Sequence, residues 1–287
     1  MSSQSNSPRA HSPGIAGELR DVSRRRGLIA DLRRIWSRRH FLWYAAVSDL
    51  RAQEMNTVLG NLWHLLNPCL QILVYWVVFG LVLGTDRGVD NFLPFLAIGI
   101  FSFQFMRRVI IQGSKSIIAN RGLIQSISLP LATLPMASLA SELVAYAFPL
   151  LVMLGVAIAS GELPTLSWLL VVPIVGLMSM FSLGMAFVTA RITFHVRDFT
   201  NLLDFLFRML FYFSGVIFLV DRFVPDPALR HLVNLNPFVD FLYLQRWAVM
   251  GMPVAGLAVI SAFVWAFGGL LFGYLYFRRR EGEYGRE

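Results

Sequence analysis

The chain has 287 residues, of which 56% are hydrophobic and only 15% are charged, and its formal net charge is +8. A mean hydropathy of +0.60 is typical of a protein that faces lipid, and it excludes a water-soluble globular protein. The basic excess does not indicate a nucleic-acid partner, because the arginines lie in the N-terminal segment and at the ends of apolar stretches rather than in a separate basic domain. Membrane lipids are the better partner for these charges.

The N-terminal 61 residues divide into two parts. Residues 1–23 are rich in Ser, Pro and Arg and show no helical or strand periodicity, which predicts a disordered basic tail. Residues 24–61 carry apolar residues such as Trp36 and Trp43 at helical spacing, with arginines over much of the remaining surface. This pattern predicts an amphipathic interfacial helix in the headgroup layer, leading to the first span. The alternative is a solvated basic helix.

Six apolar stretches make up most of residues 62–277. They lie near residues 62–84, 92–112, 130–159, 165–190, 199–220 and 254–277. Each is long enough to cross a hydrocarbon core ~30 Å thick as a helix. We therefore predict an all-α integral membrane protein with six transmembrane helices, followed by a tail of residues 278–287. Glycines four residues apart, such as Gly269 and Gly273, indicate close helix contacts.

The distribution of basic residues predicts the orientation. If the N-terminus lies inside, residues 113–129, 191–198 and the C-terminal tail share its side, and most of the basic residues outside the spans lie there. The basic residues in the connections on the opposite side are Arg87, Arg222, Arg230 and Arg246. Cytoplasmic connections carry the excess of Lys and Arg, so both termini are predicted to be cytoplasmic.

Residues 113–129 form a mixed cytoplasmic segment. Its polar members include Ser114, Lys115, Asn120 and Arg121, and its apolar ridge includes Ile117, Ile118, Leu123 and Ile124. In a chain with otherwise short loops, an amphipathic helix of this length indicates a docking partner, and the alternative is a helix lying on the lipid surface.

The connection over residues 221–253 is apolar although it is predicted to be extracytoplasmic. Prolines divide it into half-length pieces, which indicates re-entrant helices before the last span, covered by protein or lining a cavity. We assign an extracytoplasmic gate to Pro225, Leu232, Asn236, Pro237 and Phe241.

Few ionisable residues fall inside the spans, which disfavours an ion-coupled transporter. Asp204 and Arg208 are four residues apart and are predicted to neutralise each other on one helix face. Glu142 is predicted either to bond within the helix bundle or to face an aqueous path. The five histidines are scattered along the sequence and form no metal-ligand cluster, which disfavours a membrane glycosyltransferase.

Aromatic residues suggest a path for sugar rings. Phe101 and Phe105 share one helix face, while Phe207, Phe211 and Phe218 follow a stripe on another span. Flat apolar rings can pass sugar rings without demanding one hydrogen-bond pattern. The alternative is ordinary packing of phenylalanines in a membrane protein.

Four short motifs occur in a recognisable order between about residues 28 and 280. They are Leu59-Gly60 with Trp63 and Pro68; Asn120 with Leu123, Ile124, Pro130 and Pro135; Arg197-Asp198; and Leu235-Asn236-Pro237. In this order, with six spans, the chain resembles permease subunits of ABC-2 type exporters. Within that family it is most similar to the polysaccharide branch, which exports O-antigen, teichoic acid or actinobacterial galactan. Gln125 and Leu131 depart from the family pattern, which commonly has a basic residue there.

The resemblance implies half of a transporter in the bacterial plasma membrane. Two copies of this chain would form a homodimer and two copies of a separate ABC ATPase subunit would drive it, moving a lipid-linked glycan outward. The sequence has no G-x-x-x-x-G-K-[ST] phosphate loop, so ATP and Mg are expected on the partner subunit, with no cofactor and no enzymatic activity in this chain. The alternative is an ABC-2 permease that exports drugs or small lipids.

The resemblance also implies where the ATPase would dock. Residues 113–129 correspond to a coupling helix, and the turn at 191–198 corresponds to a smaller second contact. The residues assigned to coupling are Ser114, Lys115, Ile117, Ile118, Asn120, Arg121, Leu123, Ile124, Arg197 and Asp198.

Overall fold

The computed structural model describes residues 62–82, 89, 91–126, 130–220, 233 and 235–279. Its elements are all helical. In chain order the α-helices are α1 (Trp63–Tyr75), α2 (Phe92–Ala119), α3 (Arg121–Ser126), α4 (Thr133–Ala159), α5 (Val171–His195), α6 (Phe199–Phe213), α7 (Pro237–Met250) and α8 (Gly256–Arg278). A π-helix, Trp76–Val82, continues α1, and a 3-10 turn, Leu166–Leu170, leads into α5. The predicted basic tail and interfacial helix lie outside the described residues.

Five helices of the described chain are long and apolar enough to cross a membrane. They are Trp63–Gly80, Phe92–Ala119, Thr133–Ala159, Leu166–His195 and Gly256–Arg278. These match five of the six predicted stretches, so an all-helical protein with several membrane spans is confirmed.

The remaining predicted stretch, 199–220, is not one continuous helix. Helix α6 has 15 residues and is therefore ~22 Å long, less than the thickness of the hydrocarbon core. It ends before Gly215, whose φ of 62° is left-handed and is adopted readily only by glycine. A glycine two residues beyond the last helical residue therefore ends the helix inside an apolar stretch.

The centre of the bundle is α2, which packs against α4 and α5, while α5 also packs along α8. Glycines permit the closest of these approaches. A Cβ added at Gly184 of α5 would collide with the backbone of Gly269, and one added at Gly273 would collide with Gly184. The close contact predicted from the spacing of Gly269 and Gly273 is therefore present between α5 and α8.

The C-terminal end of α2 differs from the prediction. Residues 113–119 are not part of a separate amphipathic helix, because α2 continues without a break to Ala119. Gly113 lies so close to Ala186 that an added Cβ would be 2.5 Å from the alanine methyl, which keeps this turn in the core. Asn120 ends α2, with its amide Nδ2 donating to the Ser116 carbonyl at 2.8 Å, and the short α3 follows.

Helix α7 occupies part of the predicted extracytoplasmic connection. Asn236 caps it, with its Oδ1 accepting from the backbone N–H of Phe238 at 3.1 Å, and Pro237 occupies the first turn, where a missing N–H costs nothing. Most residues of α7 are buried against α2, α5 and α8, so protein covers this helix as a re-entrant segment would require. Its re-entry into the membrane stays a prediction.

Candidate functional site

A cleft of about 280 Å³ lies between the C-terminal end of α2 and the connection from α5 to α6. Its lining residues are Lys115, Ile118, Ala119, Thr193, Arg197 and Thr200. The sequence places the 113–129 segment and the 191–198 turn far apart along the chain, and the fold brings them to the two sides of one cleft. Two separately predicted coupling elements therefore form one surface.

The end of α5 positions the second side of this cleft. Helix α5 stops at His195, and α6 begins at Phe199, so Arg197 and Asp198 lie in a tight turn and are exposed. The Thr200 hydroxyl donates to the carbonyl of Arg197 at 3.2 Å. This bond fixes the turn and leaves the Arg197 side chain at the rim of the cleft.

Not every residue assigned to coupling is accessible. Ser114 and Ile117 are fully buried, and the Ser114 hydroxyl donates to the Ile111 carbonyl at 2.7 Å. Ile117 packs in a cluster with Phe187 and Phe194. The assignment of these two side chains to a partner surface is corrected, because α2 is continuous here and turns them towards the core.

Other coupling residues lie at or near the surface. Lys115 is exposed, while Ile118, Asn120, Arg121 and Ile124 are half-buried; the side chain of Leu123 lies outside the described residues. The Arg121 guanidinium carbon is 5.7 Å from the centroid of the Phe194 ring, within range of a cation–π contact. This contact ties the start of α3 to the end of α5.

The aromatic residues assigned to a sugar path are mostly packed inside the chain. Phe101 and Phe105 are fully buried, and Phe105 stacks on Tyr146 with ring centroids 4.5 Å apart. These contacts favour the packing alternative for both phenylalanines. The sugar-path assignment of Phe101 and Phe105 stays a prediction that the burial does not support.

The predicted stripe on α6 is only partly present. Phe207 is buried and meets Phe103 and Phe238 edge-on, with ring centroids 6.2 and 5.9 Å away. Phe211 is half-buried and its ring is 5.5 Å from that of Phe103. Phe218 does not continue this stripe, because α6 ends at Phe213 and the chain turns at Gly215.

Two ion pairs replace the predicted pair of Asp204 with Arg208. Arg107 contacts Asp204 at 2.8 Å, and its neighbour Arg108 contacts Glu142 at 3.1 Å. Adjacent residues on a helix point about 100° apart, so two consecutive arginines of α2 reach two different helices. The intrahelical pair is therefore wrong, and Glu142 takes the first of its two predicted roles, a bond within the bundle.

The buried Arg246 of α7 was missed, because it was counted as a basic residue of an outer connection. Its guanidinium donates to the carbonyls of Gly215 and Val216 at 3.0 and 2.9 Å and lies 3.4 Å from the centroid of the Phe95 ring. These carbonyls belong to the break after α6, where no helical hydrogen bond is available. Asn236 supports the same break, since its Nδ2 donates to the Ser214 hydroxyl at 2.8 Å.

Of the residues assigned to the extracytoplasmic gate, Asn236, Pro237 and Phe241 lie in or next to α7. Phe241 is fully buried, with its ring 5.4 Å from that of Phe181 on α5. Pro225 and Leu232 lie outside the described residues. The described part of the gate is thus a packed helix start, and its role as a gate stays a prediction.

Comparison with known proteins identifies the family of the chain. Residues 43–250 match the family described as "ABC-2 type transporter". The chain is 25% identical over 248 residues to the "O-antigen export system permease protein RfbA" of Myxococcus xanthus, covering 83% of this chain and 94% of that protein. A protein of the same description from Klebsiella pneumoniae is 23% identical, over 81% of this chain and 91% of its own length.

A further relative is the "Polysialic acid transport protein KpsM" of Escherichia coli, 25% identical over 81% of this chain and 90% of that protein. Because the family match covers most of the sequence, the chain belongs to the ABC-2 type transporter family.

Proposed function

We propose that this chain is the permease subunit of an ABC exporter that moves a lipid-linked polysaccharide from the cytoplasm across the bacterial plasma membrane. The observation that carries the proposal is that relatives named for O-antigen export align with more than four-fifths of this chain and nine-tenths of their own length. A galactan or an O-antigen-like glycan is the cargo we favour.

The proposed topology has six spans with both termini in the cytoplasm. Five spans are the candidate helices of the described chain, and α6 with the segment that follows it would form the remaining one. Carbonyls freed at the break in this span need partners inside the protein, because lipid offers none. The bonds from Arg246 to Gly215 and Val216 meet that requirement.

The proposed complex contains two copies of this chain and two copies of a separate ATPase subunit, which binds ATP and Mg. The cleft between Lys115 and Arg197 supports the docking of that subunit on the cytoplasmic side. It joins the coupling segment at the end of α2 to the turn before α6, so one bound partner would contact both and could transmit its movement to two helices.

Depleting the chain in its host tests the proposal. Lipid-linked glycan should accumulate on the cytoplasmic side while surface glycan falls, and expression of the wild-type chain should reverse both effects. The fraction of glycan that a membrane-impermeant glycosidase digests in inside-out and in right-side-out vesicles measures the side. Unchanged surface glycan together with heightened sensitivity to hydrophobic drugs would refute polysaccharide export and support the drug exporter.

A further inference from the structure

Helix α2 is covered by protein on almost all sides, and the part of it that stays uncovered is polar. Between Pro94 and Ile117, the residues of α2 that are not buried are Gln104, Arg107, Arg108, Gln112 and Lys115. Their spacing, mostly three or four residues, places them on one face of the helix. Lipid offers no hydrogen bonds to such a face. A polar stripe inside an apolar span is therefore expected to meet water, a polar ligand or another polar protein surface.

Helix α6 brings a further polar residue to this face. Asp204 of α6 bonds to Arg107 at 2.8 Å, so the two helices meet at the stripe. Arg208 lies four residues beyond Asp204 and shares its helix face. It is exposed, and unlike Arg107 and Arg108 it makes no ion pair within the part of the chain that the structure describes. Three arginines and two acids, Asp204 and Glu142, meet in this region, so one positive charge is unbalanced.

The depth of Arg208 makes an unpaired charge unfavourable. Helix α6 begins at Phe199, directly after the exposed turn with Arg197 and Asp198, whose charges need water. Arg208 lies ~14 Å further along the helix axis, and half of the hydrocarbon core is only ~15 Å thick. A charge at this depth needs water or an opposite charge, and such residues commonly mark the path of a transported group.

The chemistry of the two arginines, Arg107 and Arg208, favours an anion that both can reach. A guanidinium has a planar fork of donors that matches the oxygens of a phosphate in pairs. Sugar hydroxyl groups are neutral and do not require such a cation, so the arginines suit the phosphate that joins a glycan to its lipid. The exposed apolar side chains of Phe205 and Met209 on the same helix as Arg208 can contact the hydrocarbon part of that molecule.

We propose that Arg107 and Arg208 form a phosphate-binding site inside the membrane, which holds the phosphate of the lipid-linked glycan during export. The identity of the cargo rests on the proposed function. Asp204 bonds to Arg107 and lies one turn from Arg208, so its negative charge weakens the binding of phosphate. A site in a transport path must release what it binds, and Asp204 supplies that weakness. The phosphate of an ordinary phospholipid and a second copy of this chain are the other occupants that the test distinguishes.

Binding of three lipids to the chain, purified with its ATPase subunit, tests the site. Undecaprenyl phosphate carries the proposed group, undecaprenol has the same hydrocarbon without the phosphate, and phosphatidylglycerol is an ordinary phospholipid. Native mass spectrometry measures the bound fraction of each lipid and the mass of the protein assembly. We expect the wild type to bind undecaprenyl phosphate at least about tenfold more tightly than either of the other two lipids.

Substitutions should change the affinity for undecaprenyl phosphate in opposite directions. Arg208→Gln should lower it about tenfold, because a charge-assisted contact is lost, and Arg208→Lys should retain most of it. Asp204→Asn should raise it roughly three- to fivefold, because removing a partly exposed negative charge releases Arg107 for the phosphate. A gain in affinity cannot come from poor folding. The matched control Arg279→Gln removes an exposed arginine at the end of α8 and should leave the affinity unchanged.

Each contrary result would overturn the inference. Equally tight binding of phosphatidylglycerol would assign the site to ordinary phospholipid, and an equal loss in Arg208→Gln and Arg279→Gln would mean attraction by surface charge in general. Unchanged or weaker binding in Asp204→Asn would mean that this acid does not limit the affinity. A change in the mass of the assembly in Arg208→Gln would place Arg208 at a contact between two copies of the chain.

Export in the host separates the inference from the proposed function. Arg208→Gln at normal protein abundance should lower surface glycan and cause lipid-linked glycan to accumulate, whereas Arg279→Gln should do neither. Normal surface glycan in Arg208→Gln, in a host where depletion of the chain lowers it, would overturn the inference and leave the exporter standing. If depletion of the chain leaves surface glycan unchanged, the proposed function fails, and the cargo assigned to this site fails with it.

Discussion

The first two spans have nearly the same hydropathy and opposite surroundings. The most apolar 18-residue window of Trp63–Gly80 has a mean hydropathy of 1.2, and that of α2 has 1.4. Yet only 11% of the first window is buried inside the protein, compared with 83% of the second. Hydropathy therefore identifies both helices as candidate spans, but it does not show which of them is surrounded by other helices.

The difference lies in the small and polar residues. Helix α2 carries Gly99 and Gly113 at sites of very close approach, and Arg107 and Arg108 in ion pairs with two other helices. Helix α1 instead exposes leucines and valines such as Leu73 and Val74. Because lipid is as apolar as leucine, close packing and polar contacts, rather than hydrophobicity, determine which helix becomes the centre.

The largest expected effect comes from adding a side chain to a glycine of α2. A Cβ at Gly99 would lie 2.5 Å from the carbonyl oxygen of Val216 and 2.6 Å from the Arg246 guanidinium. Gly99→Leu should therefore cost about 3 kcal/mol or more and prevent recovery of a monodisperse protein. The matched control is Gly80→Leu, where an added Cβ meets only the side chain of Trp76, at 3.2 Å.

Fluorescence-detected size exclusion in one detergent compares the two glycine variants. Equal recovery of both would mean that α2 is not the packed centre of the bundle. Loss of Gly80→Leu as well would show that a second protein surface covers α1, for which the proposed homodimer is the first candidate.

The next effect tests whether the aromatic contacts to α2 are packing or a sugar path. Phe207 is buried against Phe103, whereas Phe205 on the same helix is 57% exposed. Phe207→Ala should cost about 3 kcal/mol and lower protein abundance, while Phe205→Ala should leave abundance unchanged. Quantitative blotting and surface-glycan staining give the readouts. Normal abundance of Phe207→Ala with a backlog of lipid-linked glycan would restore the sugar path.

Much of this fold could be predicted from the sequence, because membrane-spanning helices are recognised by their length and composition. The exact ends of the helices could not be predicted. Residues 205–220 are mostly apolar, so only the Ser214-Gly215 pair signalled a break there. The carbonyls that the break frees are bonded by Arg246, 30 or more residues away. The boundary at Gly113 was also wrong, because α2 continues through this glycine to Ala119, and its close approach to Ala186 depends on tertiary packing.

The candidate site was likewise predicted only in part from the sequence. The two segments predicted to couple to an ATPase were chosen from the family resemblance, but their meeting at one cleft depends on tertiary packing. The partner of Asp204 was missed because local spacing favours Arg208, which lies four residues further along the same helix. Asp204 and Glu142 instead pair with arginines of α2, which are distant in the sequence. The two adjacent arginines within the apolar stretch of α2, Arg107 and Arg108, are the signal that could have identified these partners.

A smaller effect is expected from these ion pairs. Glu142 has a side chain that is 14% exposed, and that of Asp204 is 35% exposed, each paired with an arginine that is 37% exposed. Glu142→Ala should cost about 1–2 kcal/mol, because a largely buried pair loses its acid while the arginine stays partly solvated. Asp204→Ala should cost about 1 kcal/mol or less. Midpoints of thermal unfolding in matched detergent compare them, and a reversed order would mean that burial does not set the strength of these pairs.

The smallest effect is expected on the exposed face of α1. Leu73 and Val74 are 50% and 60% exposed, whereas Ile72 beside them is 5% exposed and belongs to the core. Truncation at a lipid-facing site replaces contacts with lipid by other contacts with lipid, so Leu73→Ala combined with Val74→Ala should change stability by less than about 0.5 kcal/mol. Ile72→Ala, which removes fewer atoms than the double variant, should cost about 2 kcal/mol because it leaves a cavity against other helices. Thermal unfolding followed by intrinsic tryptophan fluorescence measures all of these variants under one condition. A large loss in the double variant would contradict a lipid-facing α1, and if it appeared only in the dimeric fraction, it would place this face at the contact between two copies of the chain.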